Sequence, residues 1–125
     1  MPVPILKQGP YLVASIQDAL SDREVLELQE NLLKQIGEVR ASGIIVDVTA
    51  MDVIDSFASR SLRTVALTTR LRGAEMVIVG IQPDVAFAMV QFGLLMDDVN
   101  TALDLEEGLE FLDSWIAGRT FDDEE

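Results

Sequence analysis

The sequence predicts an α/β fold with a mostly parallel central sheet, an antiparallel hairpin at its N-terminal edge and about four helices. Short apolar runs alternate with segments whose apolar residues recur every three to four positions. Strands that alternate with helices form crossover units, in which the strands are parallel. The 125 residues, 49% of them hydrophobic, suffice for one domain with its own core. We expect a single domain over residues 1–118 and an acidic C-terminal tail over residues 119–125.

The first elements are a hairpin and a helix. Residues 4–7 and 11–16 are β-rich and are separated by a turn-forming Gln-Gly-Pro cluster, which predicts a hairpin at a sheet edge. Ser21 and Glu24 then have the spacing of a capping box, and the helix that follows ends before Gly43. Its apolar stripe is typical of a core face, although such a stripe would also suit a partner. The stripe consists of Val25, Leu28, Leu32, Ile36 and Val39.

The middle of the chain predicts a second strand–helix unit. Residues 44–48 are apolar apart from Asp47, as in a central strand that is covered on both faces. The second helix runs from Phe57 to about Leu71, and Gly73 supplies its stop. One face of this helix is apolar or small and is expected in the core. That face consists of Ala58, Leu62, Val65, Ala66 and Thr69.

The last third predicts two more strands and two more helices. Residues 76–79 form a buried strand, and Pro83 begins a short helix that Gly93 ends. Val85, Met89 and Phe92 of that helix are expected in the core. A weak strand at residues 100–103 precedes a D-x-x-E cap and a final helix. The inward side of the final helix is expected to hold Leu109, Leu112 and Ile116, with Trp115 packing beside them.

Composition excludes much chemistry. The chain has no cysteine and no histidine, which removes disulfides, thiolate sites, an imidazole base and the usual zinc ligands. We therefore predict a protein that is not an enzyme and has no metal or cofactor. A net charge of −13 disfavours nucleic acid and anionic membranes and leaves proteins as partners. No apolar run is long enough to cross a bilayer and the start lacks a signal peptide, so we expect a cytoplasmic protein.

The candidate site is Ser56, in the string Ile-Asp-Ser-Phe at the start of the second helix. Backbone N–H groups and the positive end of the helix dipole stabilise a phosphate there, whereas Asp52 and Asp55 oppose it. Two interpretations stay open, a phosphorylated switch and an ordinary N-cap. The residues proposed for contact with a partner are Asp52, Asp55, Phe57, Ser59, Arg60 and Arg63.

Basic residues are concentrated on the same helix. Arg60, Arg63, Arg70 and Arg72 supply four of the nine basic residues of the chain. This run is typical of a solvated helix face and would also suit a partner surface. Spacing alone leaves both interpretations open.

A magnesium-dependent aspartate phosphoacceptor is an alternative for the same region. Loops that follow parallel strands gather at one end of the sheet, so Asp47, Asp52 and Asp55 should lie near Ser56. Carboxylates are suitable magnesium ligands. However, the two lysines lie in the edge strand and the first helix, and the chain has no phosphate-binding P-loop. We therefore assign the aspartates to capping and loop hydrogen bonds, and we favour a protein-binding module.

Three strings together resemble the STAS family: IDSF at residues 54–57, GIQP at residues 80–83 and TALDLEEGLE at residues 101–110. Within that family the sequence resembles RsbS-type scaffold proteins of the bacterial stressosome, and the likeness runs from about residue 4 to residue 115. It implies the STAS fold and a phosphorylation site at Ser56 for a dedicated switch kinase.

The resemblance also implies partners. RsbS-like proteins assemble with RsbR-like sensor paralogues that carry STAS domains, hold an RsbT-like serine/threonine kinase, and release it once phosphorylated. A PPM-type phosphatase resets the state, and the pathway often controls an alternative sigma factor. Two features favour an RsbS-like scaffold over a sensor paralogue. The residue at the switch is serine rather than threonine, and the chain lacks a sensory domain. A free anti-sigma-factor antagonist that binds an anti-sigma kinase is the alternative. We expect a homodimer for the isolated protein.

Overall fold

The computed structural model describes residues 3–93, 97 and 99–123, the last four of them by backbone alone. In this part of the chain five strands form one sheet, and four helices pack on it, as the sequence predicts. The strands are β1 (Ile5–Gln8), β2 (Tyr11–Ser15), β3 (Gly43–Asp47), β4 (Glu75–Val79) and β5 (Asn100–Ala102). The helices are α1 (Asp22–Glu38), α2 (Ser56–Leu71), α3 (Pro83–Gln91) and α4 (Leu105–Asp123).

The sheet has the strand order β1-β2-β3-β4-β5. The first pair is antiparallel, and the other three pairs are parallel, so the predicted hairpin lies at one edge. Because each parallel strand lies next to the one before it, the connecting helices α1, α2 and α3 contribute to one core cluster on one face. The fourth helix packs on the opposite face with a separate cluster.

Strands β3 and β4 form the centre of both clusters. Ile44, Val46, Met76 and Ile78 belong to the cluster under α1, α2 and α3. The side chains between them in sequence point to the other face, because successive residues of a strand alternate. There Ile45, Val77 and Val79 pack with Leu112 of α4.

Local signals account for the helix starts. The hydroxyl of Ser21 accepts from the backbone N–H of Glu24 at 3.2 Å, and the Glu24 carboxylate accepts from the backbone N–H of Ser21 at 3.1 Å. These bonds to Ser21 lower the pKa of Glu24. At the last helix the Asp104 carboxylate accepts from the N–H of Glu107 at 2.9 Å. Both predicted caps are confirmed.

The prediction of a core position is wrong for two residues. Val39 is 40% exposed and Phe92 is 41% exposed. Each is the C-cap residue that follows the last helical residue, Glu38 in α1 and Gln91 in α3. A residue beyond the last turn no longer follows the apolar face of its helix, and the spacing rule therefore fails there.

Helix α4 is tied to the rest of the domain along its length. The hydroxyl of Tyr11 donates to the Asp113 carboxylate at 2.5 Å, and burial raises the pKa of Tyr11. Further along, the Arg119 guanidinium donates to the carbonyl of Gly73 and lies 5.3 Å from the ring centroid of Trp115. The backbone stays helical through residue 123, past the boundary expected at residue 118.

The side chains of residues 120–125 lie outside the described part of the chain, and so does the backbone of residues 124–125. The expected acidic tail therefore remains a prediction. Within the described ranges, none of the helices is long and apolar enough to cross a membrane.

Close packing of α4 on the sheet depends on Gly108, because a Cβ atom there would lie 2.7 Å from Cγ1 of Val79. We expect Gly108→Ala to lower the free energy of unfolding by about 1 kcal/mol, the middle of the difference between an overpacking cost and a gain in helix propensity. Overpacking a core costs about 1–3 kcal/mol, which exceeds the gain of up to about 1 kcal/mol in helix propensity. Urea denaturation measures the change.

Gly118 is the matched control, since it lies in the same helix and a Cβ atom there would meet nothing within 4 Å. Gly118→Ala should raise stability by up to about 1 kcal/mol. Equal stabilisation by both substitutions would show that α4 does not depend on close approach at Gly108.

Candidate functional site

The loop between β3 and α2, residues 48–55, is fixed at its start by Asp47. One carboxylate oxygen of Asp47 accepts from the backbone N–H of Thr49 at 2.9 Å and from its hydroxyl at 2.6 Å. Further along the loop, Met51 and Ile54 are buried at 3% and 6% exposure. These contacts anchor the chain that leads to α2 to the end of β3 and to the core.

The loop between β4 and α3, which carries the string GIQP, contacts the same residue. The Gln82 side-chain amide donates to the backbone carbonyl of Thr49 at 2.8 Å. Gly80 has φ +76°, and a Cβ atom there would lie 2.0 Å from the Thr49 hydroxyl oxygen. Only glycine combines this backbone conformation with so close an approach. Thr49 is thus a junction between the two loops that the sequence singled out separately.

Ser56 is the first residue of α2, and Asp55 is the N-cap. The Asp55 carboxylate accepts from the backbone N–H of Ala58 at 2.8 Å, which is the capping bond. The site does contain an ordinary N-cap, but the capping residue is Asp55, and the hydroxyl of Ser56 is not the cap. Ser56 is half-buried at the end of the helix where the dipole is positive.

The structure separates the six predicted contact residues. Asp52, Asp55, Arg60 and Arg63 are exposed. Phe57 is half-buried and packs against the core cluster of α1, α2 and α3.

Ser59 is a correction to the predicted contact set. It is 1% exposed, because it lies on the face of α2 that packs inward. It therefore cannot line a contact surface in this conformation. Its hydroxyl oxygen has no hydrogen-bond partner among the described residues.

The four arginines of α2 and its end do not form one surface. Arg70 donates to the Glu75 carboxylate at 2.9 Å and to the backbone carbonyl of Asp97 at 2.8 Å, and it is thereby used within the fold. Arg72 lies at the far end of the helix as its C-cap. Arg60 and Arg63 remain on the half of α2 that begins at the site, with Arg60 one helical turn after Ser56.

Two of the three aspartates of the region, Asp47 and Asp55, make the capping and loop hydrogen bonds that the sequence predicted. Asp47 binds Thr49, and Asp55 caps α2. Among the described residues no group of three or more acidic side chains is placed to hold a metal ion. Asp52 is exposed on the same loop.

Exposed apolar side chains were not singled out from the sequence. Phe87 and Val90 of α3 are each 67% exposed, and Val53 of the β3–α2 loop is 57% exposed. Val85 and Met89 occupy the buried side of α3. The sequence did contain a signal for this exposure. The short helix α3 is apolar on more than one side, whereas a surface helix usually has a single apolar stripe.

The sequence matches the STAS domain family over residues 3–108. Among solved structures, a serine-to-glutamate variant of Moorella thermoacetica RsbS is 35% identical, with a TM-score of 0.84, and the match covers 92% of this chain and 97% of that one. A chain from a structure describing the molecular architecture of the stressosome is 33% identical, with a TM-score of 0.77 and coverage of 90% and 98%. The anti-sigma factor antagonist SpoIIAA shares the fold at 14% identity and a TM-score of 0.68.

Curated relatives include two proteins of Bacillus subtilis. The RsbT co-antagonist protein RsbRA is 28% identical over 83 residues, which are 66% of this chain and 30% of that protein. The RsbT co-antagonist protein RsbRD is 29% identical over 80 residues, which are 64% of this chain and 29% of that protein. The match thus spans less than a third of either relative. The chain belongs to the STAS domain family, and it is similar to an RsbS protein over nearly its whole length.

Proposed function

We propose that this protein is a non-catalytic stressosome scaffold that binds a serine/threonine switch kinase and releases it when Ser56 is phosphorylated. The observation that carries the proposal is a half-buried serine at the first position of α2 that is not used as the cap. It lies in a chain whose match to an RsbS structure covers 92% of this chain and 97% of that one. The protein would act in the cytoplasm of a bacterium. The kinase would be RsbT-like, and a PPM-type phosphatase would reset the state.

The start of α2 suits a phosphate on Ser56. The first N–H groups of a helix have no acceptor within the helix, and the helix dipole favours negative charge there. Arg60 is exposed one turn later and can form a charge-assisted bond to a phosphate. The Asp55 carboxylate already binds the Ala58 N–H, so it opposes the new charge without being displaced from its cap.

Phosphorylation is expected to change the charge of this surface more than its shape. The loop before Ser56 is held by the bonds of Asp47 and Gln82 to Thr49 and by the buried side chains of Met51 and Ile54. About −1.5 to −2 charges would be added beside Asp52 and Asp55. A docked kinase would then meet like-charge repulsion and a larger desolvation cost, while the fold stays intact.

Co-assembly with RsbR-type paralogues rests on the relatives. The matched part of RsbRA and RsbRD is 30% and 29% of each protein, as expected if a domain like this one is part of a larger chain. Like domains from two kinds of chain can pack in one particle. A chain at −13 repels its own copies at long range, so contacts must come from apolar patches or local charge complementarity.

We expect Ser56 to be the principal target of the kinase, because it is at the surface end of α2 and Ser59 is buried. Incubation with the RsbT-like kinase and ATP, followed by phosphopeptide mapping, should place one phosphate on Ser56. Ser56→Ala should abolish labelling, and Ser114→Ala, at an exposed serine of α4, should not. Stoichiometric labelling of Ser56→Ala would reject the assignment.

Phosphorylated protein should bind the kinase more weakly than unmodified protein by roughly 1–3 kcal/mol, through repulsion and desolvation at the interface. Calorimetry measures the difference. Ser56→Ala should keep the unmodified affinity, and Ser56→Asp should lose part of it, since one carboxylate imitates phosphate incompletely. The same affinity for both phosphorylation states would rule out switching by this residue.

The protein alone should form at most a small oligomer, and it should enter a much larger particle with a STAS-containing RsbR-type paralogue. Analytical ultracentrifugation of each protein and of the mixture tests this. A mixture without large particles that still bound the kinase would favour the alternative, a free anti-sigma-factor antagonist. That alternative draws on the fold shared with SpoIIAA.

A further inference from the structure

A polar groove lies between the C-terminal ends of α1 and α2, away from Ser56. Helix α2 has 16 residues, which is a length of about 24 Å, so its two ends are distinct surfaces. The groove has a volume of about 300 Å³. It is lined by Ile36, Arg40, Ala41, Ser42, Arg72 and Gly73.

Arginines converge on this groove. Arg40 follows α1 with φ 51°, and Arg72 is the C-cap of α2; both are exposed. Arg119 of α4 donates to the carbonyl of Gly73, which lines the groove, and the Trp115 ring lies against its guanidinium. Two of the nine basic residues of a strongly acidic chain therefore line the groove, and a third, Arg119, contacts a residue of its lining.

None of these three arginines forms an ion pair within the described residues. Two carboxylates close by in sequence are paired with other bases: Glu38 with Lys34 at 3.9 Å and Glu75 with Arg70 at 2.9 Å. The negative ends of the dipoles of α1 and α2 explain why a cation is favourable at Arg40 and at Arg72. An interaction with a helix C-terminus does not require all five N–H donors of a guanidinium. The planar fork of these donors matches a carboxylate.

We propose that the groove binds the acidic run at residues 122–125 of a second copy of this chain. The run has four consecutive carboxylates, Asp-Asp-Glu-Glu, and begins three residues after Arg119. Arg119 brings the end of α4 to the rim of the groove. In a two-fold pair formed across the groove, each copy would place its run beside Arg40 and Arg72 of the other, which makes the interface self-complementary.

Net charge sets a condition that any dimer of this chain must meet. Two chains at −13 repel each other, and a dimer requires local attraction that exceeds this repulsion. A basic groove beside an acidic run provides that attraction twice in one symmetric interface. Dimerisation through the groove does not involve Ser56, and it can be tested independently of kinase binding.

Sedimentation equilibrium on charge-reversed variants tests the proposal. The groove variant is Arg40→Glu with Arg72→Glu, and the run variant is Asp122→Lys with Asp123→Lys. We expect wild type to dimerise at about 0.15 M salt, where screening reduces the long-range repulsion between two chains and affects directly facing charges less. Each variant alone should dimerise at least about tenfold more weakly than wild type.

A mixture of the two variants supplies the decisive measurement. In a mixed pair the acidified groove faces the basic run and the native groove faces the native run, so both contacts are attractive and the heterodimer should recover wild-type affinity. The control replaces the groove variant with Arg23→Glu and Lys34→Glu, which has the same net charge but alters exposed positions of α1. Equal heterodimer affinity in the control mixture would overturn the proposal.

A wild-type protein that stays monomeric at about 0.15 M salt would overturn it too, as would a dimer that neither reversal affects. Circular dichroism confirms that each variant is folded. If the run variant does not fold, the neutral form Asp122→Asn with Asp123→Asn takes its place. Its dimer should be weaker than wild type, and unchanged affinity would count against the proposal.

Discussion

Burial of β3 and β4 between two helical layers is the constraint on which the rest of the structure depends. Ile44, Ile45, Val77 and Ile78 have no exposed surface. Two adjacent parallel strands of this kind need a crossover helix and a cover on each face. Helices α1, α2 and α3 cover one face, and α4 covers the other. The same arrangement brings the loops after β3 and β4 to one edge of the sheet, where Ser56 begins α2.

At that edge the two loops act as one unit through Thr49. A carboxylate, a side-chain amide and a glycine without a Cβ atom meet there, from Asp47, Gln82 and Gly80. Ser56 consequently begins a helix whose preceding loop is already fixed. Under the proposed function, these contacts favour regulation by charge, since a phosphate would meet a formed helix start rather than order a loop.

Helix α2 connects two surfaces of different chemistry. Its N-terminal end has Asp52 and Asp55 beside Ser56, and its C-terminal end has Arg72 beside the groove. The net charge of the chain makes the basic end unusual, because basic residues are few and several are paired within the fold. If each end serves a different partner, self-association and kinase binding can occur on the same copy without competition.

Local patterns in the sequence determined the helix starts, the hairpin and the position of Ser56. Capping residues, turn residues and apolar spacing act over a few positions, and therefore a single chain shows them. The Ser21 cap and the alternation of strands and helices are examples of this kind. The exposure of Val39 and Phe92 was missed at helix ends, where the spacing rule stops applying.

The contacts between distant parts of the chain were decided only by the tertiary structure. Gln82 meets Thr49 across 33 positions, and Arg119 meets Gly73 across 46. No local pattern encodes which residues such contacts join. The burial of Ser59 depends in the same way on how α2 packs. The sequence thus determined which residues begin the site, and packing decided which of their neighbours share its surface, because exposure is a property of the assembled layers.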